Sequence, residues 1–130
     1  MKRLTLLLLL MISTNVSAEW TMVDKSSNGD TTAYVDSETI KRKGNKVKMW
    51  SMYNFKTIQE VAGYRYLSSM TRYEYDCEEE TRRQLDFYWY SGNMRQSEIV
   101  VSQTNIKDES TSVIPGSIDV SFLKVACGHK

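Results

Sequence analysis

Between Lys46 and Tyr90 the sequence repeats mostly with a period of two, the spacing at which successive side chains leave a β-strand on opposite faces. In the first run Val47, Met49, Ser51, Tyr53 and Phe55 fall on one side, and Lys46, Lys48, Trp50, Met52, Asn54 and Lys56 on the other. The first side is the better core face, although Trp50 and Met52 keep the second from being purely wet. Residues 57–63 interrupt the pattern. In the second run, Tyr64–Cys77, Leu67, Ser69, Thr71, Tyr73, Tyr75 and Cys77 share one face, and Tyr64, Tyr66, Ser68, Met70, Arg72, Glu74 and Asp76 the other. Aromatics on both faces suit a bent or bulged strand, or a sheet with a covering layer, better than a sheet with one solvated side. In the third run, Thr81–Tyr90, Leu85, Phe87 and Trp89 alternate with Gln84, Asp86, Tyr88 and Tyr90 and mark a core face.

The flanking segments complete this pattern. Trp20, Met22 and Val23 precede the turn sequence Ser26-Ser27-Asn28-Gly29-Asp30, and Thr31–Asp36 has strand content, so a hairpin over Trp20–Asp36 is expected. Ser37–Ile40 is ambiguous, and Lys41–Lys46 reads as a basic turn around Gly44-Asn45. Gly92-Asn93 marks a reversal, Met94–Gln103 reads as the last strand, and residues 104–111 as a polar loop. Ile118, Phe122, Val125 and Ala126, with Leu123 beside them, line one face of a helix, with Pro115 near its entry and Gly128 just past its end. A strand from Ile118 to Val125 is the alternative. The expected fold is α+β: a single small domain whose antiparallel β-sheet is covered by a C-terminal helix.

The first eighteen residues stand apart. Lys2 and Arg3 form a basic head, Leu4–Ile12 an apolar run, and Val16-Ser17-Ala18 a small-residue cleavage site, so residues 1–18 read as a signal peptide and 19–130 as the exported domain. The apolar run is too short to cross a bilayer, and Glu19 rather than cysteine follows the cleavage point, leaving a lipid no attachment residue there. The expected location is the periplasm or the outer cell surface, with no stable membrane insertion of the mature chain. Loss of Lys2 and Arg3 turns the formal charge of +1 slightly negative, a balance that points away from nucleic acid. Cys77 and Cys127 would both lie in an oxidising compartment and are expected to pair; two buried thiols or a reactive dithiol are the alternatives, and the spacing has nothing of CxxC.

Chemistry-bearing residues are sparse. His129, the sole histidine, sits next to the chain end, where a general base is hard to hold in place. Glu74 and Asp76 share a strand face and form the only carboxylate pair of interest, and Glu78-Glu79-Glu80 reads as a solvated acidic turn lacking the alternating ligands of a calcium loop. No catalytic residue, metal or cofactor is assigned, and an enzyme is not expected. Two surfaces are candidates for binding. Lys41, Arg42, Lys43, Lys46 and Lys48 could meet a sulfated polysaccharide, an acidic protein or an anionic surface polymer, with a purely solubilising hairpin as the alternative. Tyr64, Tyr66, Tyr88 and Tyr90 could form an outward aromatic surface for protein contact, with burial as the alternative.

The order of several segments resembles the bacterial surface adhesin protein E family. They are Trp20, Tyr34-Val35-Asp36, the stretch Ile40–Trp50, Tyr66-Leu67-Ser68, Glu74-Tyr75-Asp76-Cys77, Ile114-Pro115-Gly116-Ser117 and Cys127, together spanning nearly all of residues 20–128. The resemblance implies an exported antiparallel sheet with a C-terminal helix and a disulfide between Cys77 and Cys127. It also implies adhesion of a Gram-negative bacterium to host matrix or serum proteins such as vitronectin and laminin, and a homodimer. Trp20, Trp50, Gly44 and Pro115 are framework positions in this reading. The leading expectation is therefore a non-enzymatic protein-binding domain of adhesin type; the alternative is a periplasmic accessory or inhibitor protein that binds another protein, with a small enzyme built on carboxylates and tyrosines a remote third.

Overall fold

Turns that admit only particular residues divide the chain into its strands. The computed structural model describes residues 19–128; the expected signal peptide and His129 lie outside them. β1 (Thr21–Lys25) turns into β2 (Thr31–Lys43) through Asn28, whose side-chain oxygen accepts from the Ser26 hydroxyl and the Asp30 N–H. β2 returns as β3 (Lys46–Val61) across the two-residue Gly44-Asn45 turn, and β3 returns as β4 (Tyr64–Asp76) across Ala62-Gly63. Such two-residue hairpins require positive φ at one or both positions, which is cheapest for glycine: Gly44 takes +61°, Ala62 +51° and Gly63 +83°. β5 (Thr81–Tyr90) follows the acidic turn, and β6 (Ile99–Gln103), β7 (Thr111–Ser112) and α1 (Ile118–Cys127) complete the chain. The result is one antiparallel sheet in the order β1-β2-β3-β4-β5-β6, with the short β7 also beside β5.

Three expectations of boundary are corrected. Residues 57–63 do not end a strand: β3 runs on to Val61, and the alternation fails there because the register with β4 shifts between Asn54 and Gln59. The ambiguous Ser37–Ile40 is likewise inside β2, as a bulge between the pairs Asp36–Trp50 and Lys41–Lys48. The last strand begins only at Ile99, since Asn93–Arg95 forms a tight turn with positive φ at Met94 and Arg95, and the segment after β6 rejoins the β5 edge as β7. Gly92 is needed at that turn, because an added Cβ would meet the Gln96 carbonyl oxygen at 2.9 Å.

The core lies between one sheet face and α1. Ala33, Val35, Val47, Met49 and Tyr75 are buried there against Phe122, Leu123 and Ala126 of the helix. Val47, Met49 and Ser51 are thus inside as their alternation demands, and Tyr53 of the same face meets the Phe122 ring edge-on at 5.5 Å. Helix entry is fixed by the turn Ile114-Pro115-Gly116-Ser117, in which Gly116 takes φ +80° and the Ser117 N–H donates to the Ile114 carbonyl. Pro followed by a positive-φ Gly is the arrangement a type II turn demands. The helix ends at Gly128, which is left-handed and donates its N–H back to the carbonyls of Lys124 and Val125. Cys127 in the last turn is bonded to Cys77 just past β4.

Candidate functional site

The second sheet face, turned away from the helix, is where the basic residues gather. Directly opposed residues of antiparallel strands share a face, so the register itself places the side chains. Lys43 opposes Lys46, which opposes Asp76; Lys41 opposes Lys48, which opposes Glu74, which opposes Arg83; Asp36 opposes Trp50, which opposes Arg72, which opposes Asp86. Two lysine–lysine pairs thus stand side by side across β2 and β3. Like charges directly opposed destabilise a sheet, so this placement is not explained by stability.

Bulges make the arrangement. Between Asp36 and Lys41 four residues of β2 stand opposite one of β3, so even-numbered Asp36 and odd-numbered Lys41 and Lys43 end on the same face. Thr39 closes the gap: its hydroxyl donates to the Asp36 carbonyl at 2.6 Å and accepts the Trp50 N–H at 3.0 Å. Leu85 is the extra residue of a second bulge, between Arg72 and Tyr73 of β4, and this lets Arg83 and Asp86 both face the same side.

Two adjoining concavities result. One of about 470 Å³ is lined by Lys41, Arg42, Lys43, Lys46, Lys48 and Glu74. The other, about 270 Å³, is lined by Glu38, Thr39, Lys41, Lys48, Trp50 and Arg72. Lys41 and Lys48 wall both, so together they form one trough. Its acidic groups are largely spent: Glu74 accepts from Arg83 at 3.0 Å, Asp76 meets Lys46 at 3.3 Å, and Asp86 accepts from Arg72 at 2.6 Å. Lys41, Lys43 and Lys48 take part in no ion pair among the described residues. The trough therefore carries an excess of positive charge.

Arg42 borders the larger concavity, but its guanidinium parts from the other four cations. It faces the core side, where its guanidinium donates to the Cys127 carbonyl at 2.9 Å and supplies a hydrogen-bond donor to the last turn of α1. The four tyrosines also separate. Tyr64 is half-exposed near the β3–β4 turn, Tyr66 stacks on Trp89 at 4.4 Å, and Tyr88 packs against Trp50 at 6.0 Å. Tyr90 is buried at 9 % exposure, so it presents no outward ring. The single aromatic surface expected from alternation is not formed, because the β3–β4 shift turns Tyr66 toward Phe55 and Trp89.

Asp76, beside the trough, is held in its charged form. Asp76 accepts backbone N–H bonds from Glu79 and Glu78 and meets Lys46, and these hold its carboxyl below the ordinary value, the opposite of what a general acid requires. Among the described residues no three His, Cys, Asp or Glu side chains cluster as metal ligands, and no helix is long and apolar enough to cross a membrane. A third concavity, about 340 Å³, lies beside Tyr73, Arg82, Gln84 and Asp108. Its Arg82 is already engaged, stacked over Tyr73 at 4.4 Å and paired with Asp119 at 3.0 Å.

Sequence reasoning found the lysines but missed Arg72, Glu38 and Thr39, which complete the trough. The signal for them lies in strand pairing, which local periodicity does not carry.

The fold has solved counterparts. The structure of crystal form II of Haemophilus influenzae protein E superimposes with a TM-score of 0.63 at 15% identity, covering 86% of this chain and 92% of that one. The Se-Met form of Haemophilus influenzae protein E gives 0.60 at 16% identity, with 89% and 91% covered. A third, the structure of Haemophilus influenzae protein E, gives 0.59 at 16%, with 88% of each chain covered. Among curated proteins none matches the chain in sequence. The sequence model of surface-adhesin protein E matches residues 20–128, nearly the whole described sheet and helix, and the chain therefore belongs to the surface-adhesin protein E family.

Proposed function

We propose that this protein is an exported, non-enzymatic binding domain of adhesin type whose basic sheet face contacts acidic partners among host matrix or serum proteins. The observation that carries the reading is the trough with three unpaired lysines, Lys41, Lys43 and Lys48, set on a sheet whose register opposes like charges. Retaining such pairs costs stability, and an anionic partner would recover it. The positive field also speeds encounter with an acidic surface. Family membership supports the adhesin class.

The test has two arms. Protein purified from the cell envelope, with its disulfide formed, is titrated onto immobilised matrix and serum proteins at rising salt, alongside Lys41→Glu/Lys48→Glu. Saturable binding that weakens with salt and is lost on charge reversal is the expected result; binding that survives reversal removes the trough from the function. Protease treatment of intact cells should remove the domain. Loss only from osmotically opened cells would place it in the periplasm and favour an accessory or inhibitor role toward another protein.

A further inference from the structure

We infer that the trough binds a linear sulfated polysaccharide; the inference rests on the proposed function and names the ligand class of that same face. Three features point to a sulfated chain rather than an acidic peptide. First, the trough is built from side chains on the face of β2, β3 and β4. An extended peptide gains its affinity by adding main-chain hydrogen bonds at an edge, which here is β2 past Val35 where β1 no longer pairs, and it would leave the lysines on the sheet face unfilled. Second, the cations of the trough left without a side-chain or backbone partner are lysines, while the forks of Arg72 and Arg83 are taken by Asp86 and Glu74 and Arg42 donates to the Cys127 carbonyl. Arginine forks are the groups matched to carboxylates; lysines act as point charges with rotatable donors. A row of point charges suits sulfates dispersed along a flexible chain.

Third, the trough is elongated and mixed in character. From Lys46 to Trp50 along β3 it spans about 13 Å at the usual strand rise, which accommodates a chain rather than one ion. The unpaired Glu38 carboxylate on its wall repels a uniform polyanion but accepts hydrogen bonds from sugar hydroxyls. At the far end Glu78 accepts from the Asn45 side chain at 2.7 Å, so the acidic turn bounds the trough there. Trp50 is no stacking platform, since Arg72 sits over its ring at 5.7 Å.

The probe is heparin, with chemically desulfated heparin and poly-glutamate as comparators, applied to the envelope-purified protein. Lys41→Gln/Lys48→Gln removes two charges from the trough, and Lys107→Gln/Lys124→Gln removes two exposed charges elsewhere. Heparin binding should weaken about tenfold or more in the first variant, show a shallower salt dependence, and stay near wild type in the second. Desulfated heparin should bind far more weakly than heparin. Equal loss in both variants, or poly-glutamate binding as tightly as heparin, would overturn the inference. If heparin does not bind while matrix-protein binding remains sensitive to Lys41→Glu/Lys48→Glu, the sulfated ligand is wrong and the protein-binding reading stands.

Discussion

Tyr75 shows how a single side chain can work against the fold that buries it. It is fully buried beneath the helix, and its hydroxyl has no hydrogen-bond partner, so its ring contributes burial while its oxygen loses water. A buried polar group without a partner costs about 1–3 kcal/mol. Tyr75→Phe should therefore raise stability, by about 1 kcal/mol, in denaturant unfolding; a loss of stability would mean the hydroxyl is satisfied in solution. Arg42 makes the complementary point. Its sequence position puts it within a cationic cluster, yet its guanidinium serves the Cys127 carbonyl on the opposite face from Lys41 and Lys43. Residue type was legible there, but side was not.

At the scale of elements, α1 depends on ties to the sheet. Ten residues are too few for a stable isolated helix in water. Besides its apolar face, α1 is held by Asp119 to Arg82 at 3.0 Å, by the Ser121 hydroxyl donating to Asp24 at 2.7 Å, and by the disulfide. A bond closing a loop of this length removes about 4 kcal/mol of unfolded-chain entropy. Cys77→Ser/Cys127→Ser should lower the thermal midpoint and lose hydrogen-exchange protection first in α1; an unchanged melting curve would contradict this. Periodicity announced the helix correctly because its contacts repeat every turn along one local stripe. The bulges at Ser37–Ile40 and Leu85 were not legible, because a bulge is defined by the partner strand and leaves little local trace.

For the whole molecule, the space between sheet and helix also sets the response to alkali. Tyr53, Tyr73 and Tyr75 are each pushed above the ordinary tyrosine value, chiefly by burial, with the Asp119 carboxylate adding to the effect. In the unfolded chain these phenols ionise near about pH 10, whereas the folded protein keeps them neutral. The unfolded state then binds fewer protons, so stability is fully present below that pH and falls as pH rises through the folded values. Unfolding free energy should be level approaching pH 10 and decline steeply above it, and Tyr53→Phe should make the decline shallower; an unchanged slope would remove Tyr53 from the cause. The sequence alone determined that the chain forms an antiparallel sheet with a C-terminal helix, that two cysteines are available to pair, and that four lysines cluster around one hairpin. Those features follow from period, turn chemistry and composition, all read locally. Which face each side chain takes was decided only by the tertiary structure. Register shifts between β2 and β3, β3 and β4, and β4 and β5 change the parity of everything beyond them, and pairing between distant strands sets those shifts. That is why the lysines converge on one trough while the Arg42 guanidinium turns to the other face and the tyrosines scatter.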